Sequence, residues 1–225
     1  MKYLIANWKA QMTLSEVISW TSSFNKDVNG NNQLLQQLSD KKLQIIICPP
    51  FPFLMTVNEE CNNLPNVLSG AQAVSSKEEG KYTGEVTANA LSTITKYALV
   101  GHSERRQHFH ESDNEVKEQV RLSKKALIEP ILCVRGTHDI VHPEARLVAY
   151  EPSDAIGTGN SAKVRDVLKM KADLNLLPHV QFLYGASVDL PNMKGYLETG
   201  AIAGLLVGTA SLDPRRFYQI TTYMI

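Results

Sequence analysis

Three ionisable side chains draw attention because each follows directly on a short apolar run. Lys9 closes Asn7-Trp8-Lys9, His102 opens His102-Ser103-Glu104-Arg105-Arg106 after Gly101, and Glu151 sits in Tyr150-Glu151-Pro152. Glutamate, histidine and lysine together make a proton-transfer set. A carboxylate can take a proton from carbon, an imidazole can donate to a developing oxyanion, and a fixed cation can hold the negative charge in between. Two further runs end in small residues, Gly185-Ala186-Ser187 and Gly208-Thr209-Ala210-Ser211, and Gly157-Thr158-Gly159 lies just beyond Glu151. Small residues let backbone N–H groups approach an anion such as phosphate. Taken singly, each feature has an ordinary reading: a surface lysine, a structural histidine, a solvated loop acid, a turn, a close strand–helix contact, a charged helix start. Their force lies in their shared position at the ends of strand-like runs.

The runs cover 3–7, 43–48, 67–71, 97–100, 131–134, 147–151, 180–184 and 203–207. Continuous apolar stretches of this length suit strands buried on both faces, as in a parallel sheet. The spacers read as helices. Thr13 and Glu16 have capping-box spacing, and Val17, Trp20, Phe24 and Val28 share a helical face. Ser112 and Glu115 repeat the signal ahead of Val116, Val120 and Leu127, and Val164, Val167, Leu168 and Leu174 give a stripe for a helix beginning near Asn160. Strands alternating with helices imply βαβ units, and eight of them suggest a closed α/β barrel in a single domain over 1–225. An open doubly wound sheet fits less well, because no GxGxxG follows the first run. The link between runs five and six is abnormal. Residues 135–146 contain Gly136 and Pro143 and no helical stripe, so the helix there is expected to be shortened or missing. In such barrels chemistry gathers at the C-terminal strand ends, which would bring Lys9, His102 and Glu151 to one mouth.

Composition sets outer limits. Lysine plus arginine and aspartate plus glutamate each number 23, so net charge points neither to nucleic acid nor to a membrane surface. Cys48, Cys61 and Cys133 are scattered, which fits neither a disulfide framework nor a zinc site, and a reducing cytoplasmic setting is the natural expectation. No apolar run approaches the ~20 residues needed to span a bilayer. The opening MKYLIANWKA is too short for a signal peptide.

The motifs, in order, are NWK at 7–9, GAQ at 70–72, YTGEV at 82–86, GHSERR at 101–106, AYEP at 149–152, AIGTG at 155–159, YGAS at 184–187 and LLVGTASL at 205–212. On these stretches the chain resembles the triosephosphate isomerases over nearly its whole length. It departs from their pattern at Ser153-Asp154, Asn160-Ser161, Ala186 and Thr209.

The resemblance implies a TIM barrel, (β/α)8, and a cofactor-free, metal-free isomerase that interconverts dihydroxyacetone phosphate and D-glyceraldehyde 3-phosphate through an enediolate. It implies Glu151 as base, with His102 and Lys9 as electrophiles. A carboxylate in a closed apolar pocket loses hydration and becomes a better base. His102 near a helix N-terminus would stay neutral. Asn7 would orient substrate and lysine, while Glu104 and Ser103 would support the reacting groups from behind. Backbone N–H groups of Gly157, Ser187, Gly208 and Thr209 would hold the phosphate. Pro152, Ser153, Asp154, Ala155, Ile156, Gly157, Thr158 and Gly159 would form a lid that excludes water. The segment 73–85 would dock into a second subunit, with Thr83 near the partner's Asn7 and Lys9, and Glu85 near the partner's Arg105. A homodimer is therefore expected, with a tetramer as an extension of it. A non-catalytic phosphosugar-binding relative is the alternative reading.

Overall fold

The structure, a computed structural model, describes residues 1–152 and 161–225. Its strands are β1 (Lys2–Asn7), β2 (Leu43–Cys48), β3 (Val67–Ser69), β4 (Tyr97–Val100), β5 (Glu129–Val134), β6 (Leu147–Tyr150), β7 (Gln181–Tyr184) and β8 (Gly204–Val207). The pairings are parallel, in the order β3-β2-β1-β8-β7-β6-β5-β4. The ends of this series meet through Ala71. It bridges Ala98, donating to Tyr97 O at 2.9 Å and accepting from Leu99 N at 2.8 Å. The sheet thereby closes into a barrel and has no free edge to protect.

Alternation along each strand divides the core into two layers. On β1, Ile5 faces the barrel interior while Leu4 and Ala6 face the helices; on β2, Ile46 and Cys48 point in while Ile45 and Ile47 point out. Leu99, Ile131, Cys133, Leu147, Ala149, Leu183 and Leu206 complete the interior layer. Both faces of each strand are covered, which is why the runs read as continuously apolar.

The helices are α1 (Leu14–Asn29), α2 (Asn32–Ser39), α3 (Leu54–Cys61), α4 (Ala88–Ser92), α5 (Ser103–His108), α6 (Asp113–Lys125), α7 (Val164–Asp173), α8 (Leu190–Leu197) and α9 (Pro214–Tyr223). Both expected capping boxes form: Thr13 with Glu16 ahead of α1, and Ser112 with Glu115 ahead of α6. Val17, Trp20, Phe24 and Val28 are the buried face of α1. Two readings of helical pattern need correction. Leu127 does not share the α6 stripe. It lies beyond the helix end at φ 60° and is 81% exposed, because the chain turns there into β5. The seventh helix begins at Val164 rather than near Asn160. Lys163 stands at its N-cap with no side-chain cap bond, and Ala162 is held instead by two tyrosines, as described below.

The connection 135–146 contains no helix. A polar turn takes its place. Asp139, almost fully buried, accepts from Arg135 N at 2.7 Å and from the Arg135 guanidinium through Nε at 3.0 Å and Nη2 at 2.5 Å. Arg106 lies 3.9 Å from the same carboxylate and also binds Asp113 at 2.6 Å and Gly101 O at 2.8 Å. The carboxylate thus ties the turn to the segment carrying His102. No helix among the described residues is long and apolar enough to cross a membrane.

Candidate active site

Each chemistry-bearing residue stands where a strand gives way to a loop. β1 ends at Asn7, and the chain then enters the left-handed region at Lys9, φ 54°. That conformation is unusual for a residue with a side chain, and three contacts enforce it. Lys9 N donates to Asn7 Oδ1 at 3.0 Å, Lys9 O accepts from Gln72 Nε2 at 2.8 Å, and Lys9 Nζ pairs with Glu104 at 2.5 Å. The end of the lysine also lies against Gly208, where an added Cβ would be 3.5 Å from Lys9 Cε.

After β4, Gly101 at φ 66° turns the chain so that His102 caps α5. A side chain at Gly101 would be strained in angle and would press on Arg106 and Val116. The His102 side chain accepts from Glu104 N at Nδ1, 3.2 Å. That contact leaves the neutral ring's proton on Nε2, which faces Glu151 Oε1 at 3.0 Å. Asn7 Nδ2 lies 3.2 Å from the same nitrogen.

Glu151 follows β6 and is buried, its backbone N–H bonded to Val134 O at 2.8 Å. Ser103 N–H approaches the second carboxylate oxygen at 3.4 Å. Gly185 gives the carboxylate room, since a Cβ there would come within 3.2 Å of Glu151 Cγ. The electrostatics of His102 are more contested than a helix N-terminus alone implies. Burial pulls its pKa down, but the charge and hydrogen bond of Glu151, joined by Glu104, override burial and raise it. The Glu104 N–H aimed at Nδ1 still opposes a second proton. Glu151 is therefore the strongest of the influences that raise the His102 pKa against its burial.

Asn7, Lys9, His102 and Glu151 line one cleft of about 770 Å³ with Ser187, Gly208 and Thr209. Ser187 lies after β7 at φ 46°. Gly208 leads into a 3-10 turn over Thr209–Ser211, fixed by Ser211 Oγ to Gly208 O at 2.7 Å and by Trp20 Nε1 to Ser211 O at 3.0 Å. Pro152 is buried beside Glu151. Ser153, Asp154, Ala155, Ile156, Gly157, Thr158, Gly159 and Asn160 lie outside the described residues. On their far side, Ala162 N donates to Tyr184 Oη at 2.8 Å, and Tyr196 Oη donates to Ala162 O. Thr83 and Glu85 stand away from the cleft, exposed. Arg105 pairs within the chain with Glu111.

The family model described as triosephosphate isomerase matches residues 2–224. The triosephosphate isomerase of Dictyoglomus turgidum is 32% identical, with 97% of this chain and 98% of the relative covered. That of Thermoanaerobacter sp. is 32% identical with 98% of each covered, and that of Aquifex aeolicus 32% with 97% and 98%. The chain belongs to the triosephosphate isomerase family. It is accordingly an isomerase on a TIM barrel.

Several groups that bear on the site in this family member were given no role from the sequence. Cys133, inside the barrel on β5, feels Glu151 directly. Burial, then the charge and hydrogen bonding of Glu151, push its thiol well above the usual range, so it stays protonated. Its sequence signal is weak, because only the β5–β6 register, Cys133 opposite Ala149, brings it close to Glu151. Gln72, from GAQ, holds both Lys9 O and Cys48 O, the latter at 2.9 Å. Asp189, Asn192 and Arg216 also line the cleft. The spacing of Asp189 and Asn192 was a readable signal, since the two form the capping box of α8.

Proposed function

We propose that the chain interconverts dihydroxyacetone phosphate and D-glyceraldehyde 3-phosphate, as a single barrel domain acting in homodimers in a cytoplasmic setting. Isomerisation moves a hydrogen between adjacent carbons. Glu151 takes the proton from one carbon and returns it to the other. His102 Nε2–H donates to the oxyanion of the enediolate while the hydroxyl proton passes from one enediol oxygen to the other, and Lys9 offsets the charge in a site where water is scarce. Asn7 orients the lysine and the ring; Glu104 and Ser103 support Lys9 and Glu151. The backbone N–H groups of Ser187, Gly208 and Thr209 hold the phosphate, with Gly157 added from the lid at 152–159. Closure of that lid keeps the enediolate from losing phosphate.

The observation that carries this reading is the 3.0 Å carboxylate–imidazole contact between Glu151 and His102, in one cleft with Lys9 and the Gly208–Thr209 turn. The three buried free thiols support the cytoplasmic part. The test is a coupled assay on glyceraldehyde 3-phosphate with wild type and Glu151→Gln. The substitution keeps size and polarity but removes the base. Turnover should fall by at least roughly 10²–10⁴-fold, with far less change in KM. Turnover surviving within tenfold overturns Glu151 as base. A wild type that binds phosphosugars without turning them over overturns the enzyme reading.

A further inference from the structure

Outside the lid, the phosphate subsite in this reading is assembled from two loops, the one after β7 that carries Ser187 and the one after β8 that carries Gly208 and Thr209. One dianion can satisfy both sets of N–H groups only if the loops keep a fixed spacing. On the β8 side, Asp213 caps α9, accepting from Arg215 N at 2.9 Å and Arg216 N at 3.0 Å, so Arg216 is fixed in the first turn. On the β7 side, Asn192 Nδ2 donates to Ser187 O at 2.8 Å, and Asp189 N donates to Asn192 Oδ1 at 3.0 Å. Asp189 also caps α8 through Leu190 N at 2.8 Å. An ion pair joins the two sides. Arg216 Nε donates to Asp189 Oδ1 at 2.7 Å, and Arg216 Nη2 donates to Asp189 Oδ2. A two-pronged guanidinium–carboxylate pair fixes direction as well as distance, which a lysine cannot do. Both side chains line the cleft beside Ser187 and Thr209.

We propose that Asp189 and Arg216 are positioning residues that clamp the Ser187 loop to the Gly208–Thr209 turn and so set the affinity for the substrate's phosphate group. The chain of contacts runs without a break from α9 through Arg216, Asp189 and Asn192 to the carbonyl of Ser187, whose left-handed conformation needs such support. The pair is partly exposed, with side chains 46% and 28% accessible, so its worth for overall stability is small. Its effect is local, on the geometry of the two loops.

The proposal rests on the isomerase reading for where phosphate sits, and its test separates the two. Arg216→Met, Arg216→Lys, Asp189→Asn and the Arg216→Met/Asp189→Asn double variant are compared with wild type. Asparagine keeps the α8 cap while removing the charge. The measurements are KM and kcat for glyceraldehyde 3-phosphate, the dissociation constant of inorganic phosphate by calorimetry, and the thermal midpoint. The clamp predicts that Arg216→Met and Asp189→Asn each raise KM and the phosphate dissociation constant by about 3–10-fold, with kcat within about twofold and little change in thermal midpoint. The double variant should be no worse than the worse single, since either change opens the same clamp. Arg216→Lys should recover only part of the loss. Unchanged phosphate affinity in either single variant overturns the clamp. Tighter binding in Asp189→Asn also overturns it and makes Arg216 a direct phosphate ligand. A wild type that lacks turnover sinks the isomerase reading, while the phosphate titration still decides the clamp.

Discussion

At the scale of the residue, Lys9 shows how the fold commits backbone strain to chemistry. A left-handed lysine is unfavourable in isolation, yet Asn7, Gln72 and Glu104 hold it from three directions, and its tip is aimed across Gly208. Such over-determination keeps a cation in place before substrate arrives. Under the proposed mechanism Lys9→Met should therefore harm binding and turnover together, because the charge would both attract the dianion and stabilise the enediolate. Losing one such electrostatic group costs roughly 10²–10³-fold in kcat. Steady-state kinetics beside Glu151→Gln would separate the roles: the lysine variant should raise KM sharply, the glutamate variant should not. An unchanged KM in Lys9→Met would remove the lysine from the binding site. Much of this arrangement was legible at single positions, because Lys9, His102 and Glu151 end their strands and strand ends of a barrel face one mouth. The Asp189–Arg216 pair was not legible. Its members sit at the N-cap of α8 and in the first turn of α9, 27 positions apart, and nothing in either segment names the other.

At the scale of the element, the most informative piece is the link between β5 and β6. A helix would normally bury an apolar stripe on the outer face of the barrel there. Residues 135–146 offer no stripe and substitute a buried carboxylate with two arginines. His142 is buried in the same turn, its Nε2 without a hydrogen-bond partner among the described residues. Burial first, then the charges of Lys117 and Arg106, lower its pKa against the opposing pull of Asp113 and Glu144. Between that lowered value and the ordinary value near 6.5, the unfolded chain holds more protons than the folded one. Stability should thus decline as pH falls below the ordinary histidine value. His142→Gln should flatten that decline. Thermal midpoints at pH values of about 7.5 and 5.5 would show it, and an equal drop in both proteins would clear His142 of the effect. The sequence made the missing helix visible through Gly136, Pro143 and the lack of periodicity. It misplaced the start of α7, because the polar residues before Val164 read as a cap. It also carried α6 too far, because Leu127 kept the right spacing after the helix had stopped.

At the scale of the whole molecule, the segment after β3 stands apart. Residues 77–85 are all exposed and belong to no helix or strand, and Ser75 N to Val86 O at 2.9 Å closes the base of the excursion. Tyr82, 49% exposed, is carried near its tip. A long excursion with an aromatic end is poorly supported in a monomer. The expected outcome is a dimer in which this loop enters a second subunit beside Asn7 and Lys9. Light scattering with activity measured at micromolar concentration checks it: a fully active monomer would defeat the idea, while a tetramer built from such dimers would not.

The same region holds the seam between β3 and β4. Among the described residues, seven strand junctions are ladders of paired residues, while β3 and β4 meet through one backbone bridge, Ala71 to Ala98, beside a side-chain bond from Thr95 Oγ1 to Ser69 O. A ring with one thin clasp does not loosen evenly. Opening fluctuations start where the fewest bonds must break, so this seam is where the hoop should unfasten first. The base of the projecting loop, at Ser75, lies four residues beyond that clasp. A neighbour that grips the loop would thereby also hold the hoop shut, and association would act as a lock on the barrel itself as well as a completion of its mouth.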